Sequence, residues 1–217
     1  MITWPYILRA GHSDTPDGGA CAMDAINWLV HGKHGAAPEC ACPTIASYVI
    51  TGNDAMPSDV RQRLMPYLHR IAGSRSLDRQ PARAEILYLA SIRVFLPIML
   101  DACVLPKYAE QLRALTTVTQ QQVSRIAFYA SQEAANRPYK RKALSLLHIT
   151  CTSRSSASTL HLIRLVLGWY PAPKVWLAYF LVLEELLAAG PQGEPWSADV
   201  LHVADDLYRA AGGLVTA

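Results

Sequence analysis

Histidine, cysteine and acidic side chains with reactive potential gather in the first quarter of the chain. His31-x2-His34 and Cys40-x-Cys42 place two imidazoles and two thiols close in sequence, with His12 and Cys21 near enough to join them. Two nitrogens and two thiolates suit a tetrahedral zinc ion, although zinc fingers usually separate paired cysteines by two to four residues and here a single residue intervenes. A glycine-rich loop with solvated histidines and cysteines packed beneath it accounts for the same pattern, and that reading needs no cofactor. Cys42 has a second potential. It stands immediately before Pro43, a residue suited to the first position of a helix, and a helix N-terminus lowers the pKa of a thiol. His31 or His34 would then serve as the base. Either use of this loop, with metal at His31, His34, Cys40 and Cys42 or a thiolate at Cys42, would make the chain an enzyme or a zinc-binding module.

Asp14, Asp17, Asp24, Asn53 and Asp54 form a loose group in the same region. Such side chains hold cations, but they also cap helices and fill turns. No Walker-type loop, dinucleotide fingerprint, nucleophile elbow or His-Glu-x-x-His occurs. Their absence weighs against the familiar enzyme classes and leaves catalytic sites empty in the main expectation.

Charge supplies the more usable signal. Residues 1–54 hold two basic and five acidic side chains, residues 55–154 fifteen and six, and residues 155–217 three and six. A middle of +9 thus lies between flanks of −3 each. Arg137, Lys140, Arg141 and Lys142 crowd the expected start of one helix, flanked by Arg125 and Arg154. Cations at a helix N-terminus oppose the macrodipole, which favours anions there. The cluster therefore points to an acidic partner, either a protein surface or nucleic acid, against the plainer reading of a solvated face balanced by the acidic flanks. No helix-turn-helix is evident, and a net charge of +3 is modest for a dedicated nucleic-acid binder.

The segments that carry these residues read as helices. Apolar residues recur at helical spacing in segment after segment, and proline and glycine separate the segments. Helices are expected from Cys21 to His31, from Pro43 to Gly52, from Ser58 to Gly73 with a kink or split at Pro66, and from Pro81 with a bend at Pro97. A short one follows from Pro106 to Leu115. Thr119 and Gln122 have capping-box spacing ahead of Val123, Ile126, Ala127 and Ala130. Pro138, the Ser153–Ser158 tract, Pro173 and Ser197 open the remainder. No stretch alternates with period two long enough for a sheet. The expectation is an all-α, irregular bundle of about nine to ten helices, with stacked helix pairs as a variant. It would form one domain over 1–217, any subdivision falling near 74–80.

At 217 residues the chain is long enough to bury roughly 70% of its unfolded surface. The composition is apolar at 51% and charge-poor at 17%, which favours a large core or an apolar face for a partner and leaves room for oligomerisation through apolar helices. Five cysteines cannot all pair, and no secretory pattern is evident, so a reducing, cytoplasmic setting is expected. Ile86–Leu105 has the length of a membrane span but carries Arg93, Pro97 and Asp101, and the apolar run from Val175 stops at Glu184-Glu185. No membrane span is expected.

One block has a familiar look: Gly19-Ala20-Cys21-Ala22-Met23-Asp24-Ala25, then Pro38-Glu39-Cys40-Ala41-Cys42-Pro43, Gly52-Asn53-Asp54 and Arg61-Gln62-Arg63-Leu64. It resembles a block recurring in uncharacterised bacterial and phage-borne proteins. The resemblance implies a prokaryotic or phage setting and carries no activity with it.

Overall fold

The computed structural model describes residues 7–11, 19–33, 35, 37–134, 155–170 and 172–189. Among these there are eight helices and no strand, only an isolated parallel bridge between Leu8 and Ala20. They are α1 (Ala22–His31), α2 (Pro43–Ala55), α3 (58–72), α4 (80–102), α5 (Pro106–Arg113), α6 (Gln120–Glu133), α7 (Ser156–Trp169) and α8 (Pro173–Ala188). The described part of the chain is therefore all-α. The helices expected from Pro138 and from Ser197 lie outside the described residues, which separates the eight seen from the nine to ten expected. No described helix is long and apolar enough to cross a membrane.

Local sequence explains most boundaries. Cys21 caps α1, its sulfur accepting from the Asp24 N–H at 3.4 Å. Thr119 and Gln122 close a full capping box at the start of α6, and Ser155 caps α7. Both prolines inside helices change the hydrogen-bond register, because proline has no N–H to donate. Pro66 sits in a 3₁₀ segment (Gln62–Tyr67) that splits α3 into two short α-helical ends. At Pro97 the expected bend takes the form of a π-helical segment, Ser91–Phe95, immediately before it. There the Leu96 N–H reaches back five residues to the Ser91 carbonyl, the register of a π-turn.

The chain divides into two compact units: 1–84 with 179–197, and 85–178 with 198–217. In the first, α1 packs on α2 and on the last segment of α3, around Met23, Ile26, Ile45, Val49, Leu64 and Ile71. Tyr48 and Tyr179 lie stacked in this core, centroids 4.5 Å apart and planes 10° from parallel. Each hydroxyl donates to the other's backbone carbonyl, at 3.0 and 3.3 Å. Burial pushes both phenols well above their ordinary pKa. In the second unit the end of α4 packs on α5, α5 on α6, and α7 on the π-helical and final segments of α4. Its core is built from Phe95, Leu96, Leu100, Leu112, Val123, Ile163 and Val166.

Candidate partner-binding surface

A basic residue is available to a partner only if the fold does not already use it. Of the ten described basic residues between 55 and 154, eight are engaged. Arg61 and Arg83 are buried, and their hydrogen bonds go to backbone carbonyls, with Asp54 near enough to Arg61 to favour its charge. Arg61 donates to the carbonyls of Asn53, at 2.7 Å, and of Met56, where α2 ends. Arg83 donates to Leu186 O at 2.9 Å, near the end of α8, and to Ser74 O at 2.6 Å. Cations at helix C-termini complement both the orphan carbonyls and the negative end of the dipole. Burial lowers the pKa of Arg61 and of Arg93, and Arg93 holds the carbonyls of Leu115 and Thr116 beyond α5.

The more exposed cations are held by other means. Arg70 pairs with Glu184 at 2.7 Å and Arg113 with Asp101. Arg63 lies 4.7 Å from the centre of the Phe180 ring, Lys107 lies 5.4 Å from that of Tyr108, and Arg75 donates to Glu39 O. Only Arg79 and Arg125 remain outside such contacts, and Arg125 is the more exposed. Arg137, Lys140, Arg141, Lys142 and Arg154 lie outside the described residues.

Arg125 belongs to a defined stripe. Helix α6 buries Val123, Ile126, Ala127 and Ala130, the spacing of one helical face. The opposite face carries Gln121, Arg125, Phe128 and Gln132, with Tyr129 beside them, all exposed. Phe128 and Tyr129 are 47% and 54% exposed, high for aromatic residues. Their rings meet edge to face, centroids 5.7 Å apart. The single acidic residue of α6, Glu133, accepts from the Tyr108 hydroxyl at 2.8 Å and thereby raises the Tyr108 pKa. The stripe is thus one cation, two aromatic rings and two amides, without a carboxylate. Phe128 and Tyr129 were not among the residues singled out from sequence. The signal that could have found them is their place off the apolar stripe, which 123, 126, 127 and 130 already fill.

The Cys/His loop is spread between surface and interior. His31 is exposed at the end of α1, Cys40 is partly exposed, and Cys42 is wholly buried. His34 and His12 lie outside the described residues. Among the described residues no three His, Cys, Asp or Glu side chains are grouped to hold a metal ion. Burial raises the Cys40 thiol pKa and pushes Cys21 up to about 12, away from the thiolate that metal binding and nucleophilic attack require. Cys42 does open α2, but it contributes no side-chain cap; its N–H donates to Ser74 Oγ at 2.9 Å.

Most of the familiar-looking block converges at one place. Asn53 accepts from Ala22 N and donates to Arg9 O, at 3.3 and 2.9 Å, while Asp54 accepts from Gly11 N at 3.0 Å. Gln62 accepts from Leu8 N and donates to Leu8 O, both at 2.9 Å. These bonds pin residues 8–11 to the helices, which is structural work of the kind buried polar groups ordinarily do. The chain matches no family model, no curated protein and no solved structure.

Proposed function

We propose that this chain is a non-enzymatic interaction protein, regulatory in role, that binds an acidic macromolecule through the basic surface of its second unit. The observation that carries the reading is the exposed stripe of α6, where Arg125 stands without ion pair or carboxylate neighbour on its face while most other described cations of the middle are engaged. The sequence adds Arg137, Lys140, Arg141, Lys142 and Arg154 within the following thirty residues. Like charges gathered within a Debye length of about 8 Å repel one another and accelerate encounter with an oppositely charged surface. The resemblance of the Gly19–Leu64 block suits a prokaryotic or phage setting.

The test is charge reversal. On this reading the three cations face solvent, so replacing Arg137, Lys140 and Arg141 by Glu is expected to leave the helical circular-dichroism spectrum nearly unchanged, exposed charges contributing little to stability. Wild-type binding to a polyanion, followed by fluorescence anisotropy with labelled poly-glutamate and labelled oligonucleotide, weakens as salt rises, and the triple variant loses it. A wild-type protein indifferent to both polyanions at low salt, or a reversed variant that binds as well as wild type, ends this reading.

A further inference from the structure

We infer that the acidic partner is a single-stranded nucleic acid, with bases stacking on Phe128 and Tyr129 and phosphate meeting Arg125. This rests on the polyanion reading above and narrows its partner class.

Three properties of the α6 stripe favour that occupant. The first is that its only apolar groups are aromatic. Gln121, Arg125, Phe128, Tyr129 and Gln132 include no exposed aliphatic side chain, so what the stripe offers is flat π-faces next to a cation. Bases have π-faces and every nucleotide brings a phosphate, which is the pairing that sequence-tolerant single-strand binders use. An acidic peptide satisfies the cation and leaves the rings idle. A duplex also supplies phosphates, but its base faces are already stacked on one another.

The second property is ring geometry. Phe128 and Tyr129 lie 69° from coplanar with centroids 5.7 Å apart. A parallel stack would hide one face of each ring, whereas an edge contact uses the face of only one. The third is the electrostatic frame. Glu133, the single carboxylate of α6, lies beside the stripe one turn from Tyr129 and accepts from the Tyr108 hydroxyl; no acidic side chain adjoins Arg125 on the helix, so a phosphate meets the cation first. The amides of Gln121 and Gln132 stand at its two ends, roughly 16 Å apart along the axis. They can donate to phosphates or base edges over a run of a few nucleotides.

The experiment uses the full chain and three labelled probes: a mixed-sequence single-stranded 15-mer, the same sequence as a duplex, and poly-glutamate. The single strand is expected to bind tightest. Phe128→Leu with Tyr129→Leu lowers its affinity about thirtyfold or more, from the loss of two stacking platforms, and leaves poly-glutamate binding unchanged. Because both rings project from the exposed face, the helical spectrum and urea midpoint stay put. The exchange Phe128→Tyr with Tyr129→Phe keeps both rings and holds affinity within about twofold, so the inference stays testable even if the leucine variant folds poorly. Single-strand binding that survives the leucine changes, or falls equally in the ring-preserving exchange, overturns the stacking site. Tighter binding of poly-glutamate than of the single strand overturns the nucleic-acid assignment while leaving the polyanion reading intact. Failure to bind any of the three probes removes both.

Discussion

Two arginine roles contrast across the units, although the second unit also keeps Arg93 on backbone carbonyls and Arg113 on Asp101. By sequence, the first holds eight basic and ten acidic residues and the second twelve and seven, a balance of −2 against +5. In the first unit two arginines are buried with their guanidinium groups on backbone carbonyls, and two more are tied to Phe180 and Glu184. In the second, Arg125 lies on the outside of α6 between two exposed aromatic rings and two glutamines. The same residue type is a capping device in one place and a free positive charge in the other. A charge count along the sequence adds the two together, and only burial and partners separate them.

Removing one arginine of each kind puts this contrast to its hardest test. Arg83 is 2% exposed and satisfies two carbonyls. Arg83→Ala leaves both carbonyls buried without a donor, at about 1–3 kcal/mol each, and opens a cavity besides. A loss of about 4 kcal/mol is expected in urea unfolding. Arg125→Ala is expected to change stability by less than about 0.5 kcal/mol. Equal costs at the two positions would erase the distinction.

A second pair of substitutions compares glycines. Gly52 faces the buried tyrosine stack: a Cβ there would sit 2.2, 2.3 and 2.5 Å from Cε2, Cζ and the hydroxyl oxygen of Tyr179. That ring cannot easily retreat, because it is stacked on Tyr48 and bonded to its carbonyl. Gly52→Ala should therefore destabilise by about 2–3 kcal/mol through overpacking. Gly168, exposed on α7 of the second unit, has nothing within 4 Å of its would-be Cβ. Gly168→Ala should instead raise stability by about 0.5 kcal/mol, since alanine is the better helix former. The contrast sharpens if thermal midpoints move in opposite directions, and it fails if both variants lose stability.

Much of the fold was legible because its signals are local. Pro43 and Pro106 at helix starts, the Thr119/Gln122 box and Gly32 at the end of α1 each act within a few residues of where they are read. The disruption at Pro66 was equally plain. Its 3₁₀ form, and the π-helical register before Pro97, were not, since the choice between kink, 3₁₀ and π depends on what packs against the helix. The site was legible only in part. Arg125 could be named from the charge distribution, but nothing in sequence says that Arg61 and Arg83 are buried on carbonyls of segments up to 103 residues away. Phe128 and Tyr129 could have been flagged by angle alone. The Cys/His loop shows the reverse problem: closeness in sequence does not place His31 and Cys42 at the same depth.

A smaller effect than those at Arg83 and Gly52 concerns how each unit ends a helix. In the first, α1 stops at Gly32, which takes a left-handed conformation at φ 64° and closes its N–H onto Trp28 O. In the second, α4 ends in the same manner with the wrong residue for it. The Leu105 N–H bonds Leu100 O and the Val104 N–H bonds Asp101 O, at 2.9 and 2.8 Å, the two bonds of a Schellman motif. The left-handed position is occupied by Val104 at φ 58°. A β-branched residue is strained there, because its Cβ crowds the neighbouring carbonyl, at roughly 1–2 kcal/mol. Its side chain is 66% exposed, so packing does little to offset the strain. Glycine would relieve it and pay back part of the gain in unfolded-chain entropy. Val104→Gly is thus expected to stabilise the protein by about 1 kcal/mol, and Val104→Asn by less. Gly32→Val, the reciprocal change in the first unit, should lose a similar amount, although a Cβ there meets nothing within 4 Å. Urea midpoints for the pair decide the matter. Were Val104→Gly to destabilise, the valine side chain would be making a contact that outweighs its backbone strain.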